Sequence, residues 1–393
     1  LIEIKGRYNT AKVFAKEVEE SAFKQIKELC DQEFVSGSSI RIMPDVHTGM
    51  GCTIGTTMTV SDKVVPNLVG VDIGCGMHTV EFKTAKLDFN EINRFIKDEI
   101  PTGFKVYNRI MKKFPVEKLK CYKNLDNVER IRKSIGTLGG GNHFIEINRS
   151  ENGGLYLVVH SGSRNLGKQV AEYYQKKAYG AFKVYNKNIE TELDIIKKGK
   201  QDGEVLERIT ELNARLVKKN LAYCEGSLLE EYLHDMEFVQ RFAYENRKLI
   251  SHRIGSRFGF KVVREFVTIH NYIDLDSMIL RKGAVSAKRG ELLLIPINMR
   301  DGSILAMGKG NLDWNYSAPH GAGRLMSRKV AKNTIDIKEF KESMKGIHSQ
   351  SVCRKTLDEA PQAYKSMDSI VDNIDETVEI VDMLKPLFNY KDH

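Results

Sequence analysis

Five of the ten histidines share one setting. His47, His143, His160, His270 and His320 each sit at the end of a short apolar run or beside a glycine-rich turn. Their segments are PDVH, GNHF, VHSG, IHN and PHG. Glycine at a strand end permits positive φ and a close approach of backbone to a ligand. The repeated setting therefore points to imidazoles gathered around one metal or phosphate site. The tightest cluster is VDIGCGM, in which Asp72 and Cys75 lie across a glycine turn and can address one point. A carboxylate, a thiolate and several imidazoles are metal ligands by their chemistry. A thiolate can also bridge two ions, and two ions about 4 Å apart clamp the attacking and leaving oxygens of a phosphoryl transfer. The donor types leave the metal open: Cys and His suit Zn or Fe, whereas Asp suits Mn or Mg.

His320 stands apart. In SAPHGAGR it lies among small residues, four positions before Arg324. An imidazole presented in this way can attack phosphorus, and a guanidinium can offset the developing charge. A metal ligand or a structural imidazole is the other reading of this position. His234, His252, His348 and His393 fall in helical or terminal contexts and read as surface or hydrogen-bonded residues, and His78 as a core or surface residue.

These residues must be positioned by a sheet. Glycines cluster at 49–55, 70–76, 136–141, 162–167, 308–310 and 321–323, each beside a short run rich in Val, Ile and Thr. Such runs read as buried strands, so the pattern is strand, glycine turn, polar residue. The middle differs. Val205, Ile209, Leu212 and Leu216 step along a helical face, as do Tyr232, Met236, Val239 and Ala243, with a break and N-cap expected at Gly226–Ser227. The spacing predicts a mostly helical insertion over 168–253, containing a hairpin of two long helices and a charged loop over 197–203. Strands are expected to resume near Val262, and 361–387 to be helical. With eight prolines and no repeat or low-complexity segment, the chain reads as one compact α+β unit over 1–393, with central sheets, peripheral helices and the helical insertion.

Composition narrows the class. The 393 residues are 41 % hydrophobic and 29 % charged, which is ordinary for a globular domain and excludes a disordered one. No apolar run approaches the ~20 residues that cross a bilayer. Leu1 to Tyr8 carry charges and no apolar signal core, and the six cysteines form no CxxC pair, so a reducing cytoplasm is expected and a membrane partner is not. The formal charge is +9, and 100–134, with ten Lys/Arg and three Asp/Glu, supplies +7 of it. A local basic zone suggests an anionic partner, with nucleic acid the first candidate.

The ordered set of motifs resembles the RtcB family of tRNA-splicing, GTP-dependent RNA ligases over nearly the whole chain, from Arg41 onward. They are MPDVHTGMGCTIG, VGVDIGCGM, GTLGGGNHFIE, VVHSGSRNLG, AYENRKLI, RKGAVSAKRGE, SAPHGAGRLMSR and DEAPQAYK. The resemblance implies that Cys75 bridges two Mn2+ ions, one also held by His160 and His270, the other by Asp72 and His143. It implies that His320 attacks the α-phosphate of GTP to give histidyl-GMP. Asn142, Glu146, Gly321, Ala322, Gly323, Arg324 and Lys391 fall where the guanylate is held. Asp45 and His47 are expected near the site, and Ser161, Ser163 and Arg164 at the RNA phosphate. The implied substrates are RNA ends with a 3′-phosphate, or a 2′,3′-cyclic phosphate that is first opened, and a 5′-hydroxyl. An RNA-3′-pp-5′-G intermediate links them, in RNA splicing or repair.

One stretch departs from the family pattern. Many members carry PGSMG, whose Ser helps hold the guanylate, where this chain reads PINMRDGS over 296–303. Asn298, whose amide both donates and accepts, and Ser303 are the two expected replacements. The departure resembles a divergent branch of RtcB paralogues, some of which neighbour a release-factor-like protein.

Overall fold

A computed structural model describes residues 1–198 and 203–392. The strands in chain order are β1 (Ile2–Lys5), β2 (Thr10–Val13), β3 (Ile40–His47), β4 (Ile54–Thr59), β5 (Lys63–Val64), β6 (Gly76–Lys83), β7 (Phe144–Arg149) and β8 (Leu155–Ser161). There follow β9 (Cys224–Glu225), β10 (Lys261–Ile269), β11 (Asn271–Asp274), β12 (Ile279–Lys282), β13 (Ala284–Ser286), β14 (Leu292–Asn298), β15 (Gly302–Gly308), β16 (Ser317–Pro319) and β17 (Val378–Tyr390). One sheet runs β1-β2-β3-β4-β12-β11 and a second β10-β6-β8-β7-β17-β15-β14, with two small ribbons, β13-β16 and β5-β9. Pairing is antiparallel except between β2 and β3. Together with the surrounding helices they form a single compact α+β domain, as the glycine-punctuated apolar runs predict.

The helical stretch expected over 168–253 comprises Arg164–Ala181, Lys183–Lys197, Gly203–Arg215 and Gly226–Phe258. The middle two form a hairpin closed by Ile189, Leu193 and Leu212, with Ile209 and Leu216 packed against them. The loop expected over 197–203 falls mainly on 199–202, outside the described residues. The 33-residue helix Gly226–Phe258 begins without a side-chain cap, so Ser227 is not its N-cap; Glu225 flanks it in extended conformation. This helix joins two cores. Tyr232, Met236, Val239 and Phe242 pack into the largest apolar cluster. Ile250 and Ile254 pack with Phe82, Ile145, Leu157 and Phe388 beneath the second sheet.

The C-terminal expectation is corrected. Only Pro361–Ala363 and Met367–Val371 are helical turns, and β17 then runs for 13 residues through the middle of the second sheet. Leu384 packs with Met77, Val158 and Leu305 on one face, Phe388 and Tyr390 pack with Ile147 and Leu157 on the other, and both edges of β17 are paired, to β15 and β7. A helix would leave those two ladders open, at a cost no local propensity offsets. Pro386 is tolerated because it sits at the bulge between Pro386 and Phe388, where the ladder is already interrupted.

Candidate active site and metal centre

The second sheet gathers the histidines. β10, β6, β8 and β7 are consecutive antiparallel neighbours, with Ile269 opposite Gly76, Met77 opposite His160, and Phe144 opposite His160. His270 follows β10, Cys75 precedes β6, His160 lies near the end of β8 and His143 precedes β7. Antiparallel pairing puts the exits and entries of alternate strands at one edge, so residues from four distant segments meet there. The ribbon β13-β16 adds His320, which follows Pro319 opposite Ala284, while Gly283 N donates to His270 O at 2.7 Å. The imidazoles form a chain, with ring centroids 5.3 Å apart for His143–His160, 5.2 Å for His160–His270 and 5.0 Å for His270–His320.

Two overlapping groups could hold metal ions: Cys75, His160 and His270, and Asp72, Cys75 and His143. Within each group the donor atoms lie within 4.8 Å of one another. Cys75 Sγ lies 3.4 Å from His160 Nε2 and 3.5 Å from His143 Nε2, and Asp72 Oδ2 lies 3.5 Å from that same His143 nitrogen. The orientation of the rings fits metal binding. His143 Nδ1 lies 2.9 Å from Leu138 O and His160 Nδ1 3.2 Å from Asn142 O. A protonated Nδ1 donating to a carbonyl leaves the Nε2 lone pair facing the thiol, which is the usual support behind a ligating histidine. Burial pushes the Cys75 thiol well up, with the Asp72 charge adding to it, and burial holds His160 and His270 well below the ordinary imidazole range. For Asp72 burial works against the charge, but the hydrogen bond and charge of His143, with Cys75 and His270, bring the carboxyl down to about 2. Neutral imidazoles at His160 and His270 and an ionised carboxylate at Asp72 are ligand forms, and a cation would supply what the thiol lacks to ionise.

Three glycine-rich turns are held by adjacent residues of the long helix. Asn246 Oδ1 accepts from Gly136 N at 2.7 Å and Thr137 N at 3.0 Å, and its Nδ2 donates to Ser161 Oγ and Gly162 O. Arg247, with no exposed surface, donates through Nη1 to Gly74 O and Ser161 O. The motif AYENRKLI contains both residues, but only the fold reveals that they clamp the turns carrying Cys75, His143 and His160. The spacing is tight: a side chain at Gly162 would strike the Asp72 carboxylate. Asn246→Ala strips two buried backbone N–H groups of their acceptor, so it is expected to destabilise the fold by about 2–4 kcal/mol. A urea unfolding midpoint shifted to lower denaturant checks this.

His320 and Asp45 make the second feature. His320 Nδ1 lies 2.6 Å from Asp45 Oδ2, and the carboxylate is fully buried. This bond assigns the proton to Nδ1 and leaves Nε2 with its lone pair. Gly323, at φ +75°, lets the segment after His320 lie against β3; a Cβ there would come within 2.5 Å of Asp45 O. His47 also lines the cavity, its Nδ1 2.9 Å from Asp45 O.

Asp72, Cys75, His160, His270 and His320 line a cavity of about 300 Å³. Asn142, Glu146, Asn298, Gly321, Ala322, Gly323, Arg324 and Lys391 line the same cavity, so one chamber spans the ligand cluster and the expected nucleotide end. There, burial pushes the Glu146 carboxyl up to about 7 against the lowering effects of Asn389, Lys391 and Asn148. Lys391 Nζ lies 3.0 Å from Glu359 Oε2 and 5.3 Å from the centre of the Phe144 ring. Arg324 is held by Tyr364 Oη and Asp358 O. Asn298 spends its amide locally, accepting from Arg300 N and Asp301 N and donating to Asp301 Oδ2. Ser303 is fully buried on β15 and does not line the cavity. Ser161 and Ser163 are also buried outside its lining, while Arg164 reaches Thr137 Oγ1 and Gly103 O. His234 and His252 lie on the long helix, His78 is buried against Ser251 Oγ, and His348 stacks on Phe388. His393 lies outside the described residues. Sequence reasoning gave no role to Phe144, Arg328, Glu359 or Tyr364, which also line the cavity; the motif DEAPQAYK was the available signal for two of them. Among the described residues, no helix is long and apolar enough to cross a membrane.

Comparison with known proteins identifies the family. The family model for tRNA-splicing ligase RtcB matches residues 25–127 and 108–392. The chain is 29 % identical to the RNA-splicing ligase RtcB of Escherichia coli K12, over 94 % of this chain and 93 % of that protein. It is 25 % identical to the RNA-splicing ligase RtcB2 of E. coli ATCC 25922, over 84 % and 81 %, and 25 % identical to the tRNA-splicing ligase RtcB of Thermococcus kodakarensis, over 88 % and 86 %. The chain therefore belongs to the RtcB family of RNA ligases.

Proposed function

We propose that this protein joins RNA 3′-phosphate or 2′,3′-cyclic phosphate ends to 5′-hydroxyl ends, using GTP and two Mn2+ ions. The observation that carries this reading is the His320–Asp45 pair opening onto the same cavity as the His/Cys/Asp cluster. A hydrolase that only opened cyclic phosphates would need the cluster but no separate, carboxylate-held imidazole.

Cys75 would bridge the two ions, with His160 and His270 on one and Asp72 and His143 on the other. When bound, the ions offset phosphate charge and allow two anionic groups to meet. His320 Nε2 attacks the α-phosphorus of GTP; the N–P bond forms as the bond to pyrophosphate breaks. The ring becomes cationic, and the Asp45 carboxylate, 2.6 Å from Nδ1, stabilises it. Glu146 would face the N–H edge of guanine, which offers a donor pair that adenine lacks. Gly321, Ala322 and Gly323 leave room for the phosphate beside His320, and Lys391 lies along the Phe144 face. The RNA 3′-phosphate then takes GMP from His320, giving RNA-3′-pp-5′-G. The 5′-hydroxyl attacks the activated 3′-phosphorus, forming the phosphodiester and releasing GMP. We assign the whole of 1–393 to this one ligase domain.

The test is to incubate an end-labelled RNA bearing a 3′-phosphate with a 5′-hydroxyl partner, GTP and Mn2+. A joined product that requires GTP is expected. No joined product from the 3′-phosphate RNA, with a parallel 2′,3′-cyclic phosphate RNA opened but not joined whether or not GTP is present, would overturn the proposal.

A further inference from the structure

Phe104 is 94 % exposed, more than any other large hydrophobic residue among those described. Single exposed apolar residues are ordinary on protein surfaces, but this one is not on a loose tip. Its own carbonyl accepts from Arg130 Nη2, and the carbonyl of Gly103 just before it accepts from Arg164 Nη2 at 2.8 Å. Thr102 pairs with Gly139 and donates from Oγ1 to Asp392 at 2.7 Å. The backbone on both sides of the ring is therefore anchored while the ring itself has no packing partner.

The anchors place it beside the candidate active site. Gly139 and Gly140 belong to the turn that carries Asn142 and His143, and Gly103 lies against Gly140 and Asp392. Asp392 follows Lys391, which lines the cavity. Exposed cations follow the ring in the chain. Lys105 and Arg109 form no ion pair among the described residues, and Arg130 is spent on the Phe104 carbonyl rather than on a carboxylate. An aromatic side chain on an anchored backbone, followed in the chain by exposed cations without ion pairs and next to a phosphate-handling site, is the combination that binds single-stranded nucleic acid: the cations track the phosphates and the ring stacks on a base.

We propose that Phe104 is a stacking platform for a nucleobase of an RNA end held in the cavity. This rests on the RNA-joining function proposed above and adds a subsite to it. The ring makes no sequence-specific hydrogen bonds, so it binds any base and fixes where the strand leaves the site. Lys105 and Arg109 supply the adjoining phosphate contacts.

The test compares the full-length wild type with Phe104→Ala, Phe104→Leu and Phe104→Trp. The probes are two single-stranded RNAs, one ending in a 3′-phosphate and one starting with a 5′-hydroxyl, each carrying 2-aminopurine near that end. Binding is read by fluorescence anisotropy and stacking by 2-aminopurine quenching. The strand whose fluorescence responds identifies which RNA end uses the platform. For that strand, Phe104→Ala and Phe104→Leu are expected to weaken binding roughly 5- to 100-fold and remove quenching, while Phe104→Trp retains both. GTP-dependent labelling of His320 in the absence of RNA is expected to stay at the wild-type level in all three. Equal RNA affinity and quenching in the wild type and Phe104→Ala would overturn the subsite while leaving the ligase function standing. Retained affinity in Phe104→Leu would replace stacking with simple apolar contact and overturn it too. A wild type that binds neither strand would overturn both the subsite and the proposed function.

Discussion

His320→Ala is expected to hold no label after incubation with Mn2+ and GTP labelled at the α-phosphate, whereas the wild type holds label that acid releases. A phosphoramidate on imidazole is acid-labile because protonation makes the ring a good leaving group, and it survives base. Loss of the nucleophile leaves no neighbour able to replace it. His270, with its ring centroid 5.0 Å away, is buried and belongs to the candidate ligand cluster, and His47 is tied to the Asp45 carbonyl. RNA joining should fall by on the order of 10³-fold or more, the size of loss seen when a covalent nucleophile is removed. Removal of His320 also strips the fully buried Asp45 carboxylate of its hydrogen-bond partner, so a urea unfolding midpoint is measured alongside to show that the variant is folded. Acid-labile label on the alanine variant at the wild-type level would sink the assignment. Supplying RNA already guanylylated at its 3′-phosphate in place of GTP separates the two halves of the reaction: the variant should still seal an RNA-3′-pp-5′-G end.

Cys75→Ala is expected to lose both metal ions at once. One sulfur belongs to both candidate donor groups, so its removal reduces each to two protein ligands. Loss of a supporting residue behind a ligand already costs about 10- to 100-fold in metal affinity, and removal of a shared ligand should exceed that at both positions. Mn2+ content by elemental analysis after dialysis, together with equilibrium titration, checks the result. His270→Ala makes the informative comparison, since His270 belongs to only one group and should lower occupancy by one ion. Unfolding measured in chelator should differ little between Cys75→Ala and wild type, because the buried thiol packs there as a small apolar group. Full metal occupancy in Cys75→Ala would exclude the bridging role.

Much of the site is legible in the chain because its chemistry is local. VDIGCGM places a carboxylate and a thiol across a glycine turn, and each histidine announces itself by a glycine-rich or strand-end setting. The fold class follows for the same reason, since short β-branched runs between glycine turns have few uses other than strands. The misread element, β17, shows where this stops. Its segment contains Leu, Met, Lys and Glu at spacings a helix accepts, and it becomes a strand only because β15 and β7 stand on either side to pair with it. The replacement expected from Asn298 is a second case. Its amide is chemically suited to a nucleotide, yet the turn over 298–301 already uses both ends of it.

What the sequence by itself determined is the set of reactive atoms: one thiol, one carboxylate and four imidazoles, with the glycines that let them be approached. The tertiary structure decided how they are paired and aimed. It set Asp45 against His320 across 275 positions, brought the ends of β10, β6, β8 and β7 to one edge, and used Asn246 and Arg247 to clamp turns that lie far from them in the chain. Reactivity resides in side-chain chemistry and is carried by each residue alone. Aim depends on register and packing between segments that no local propensity couples, and those are settled only when the whole core closes.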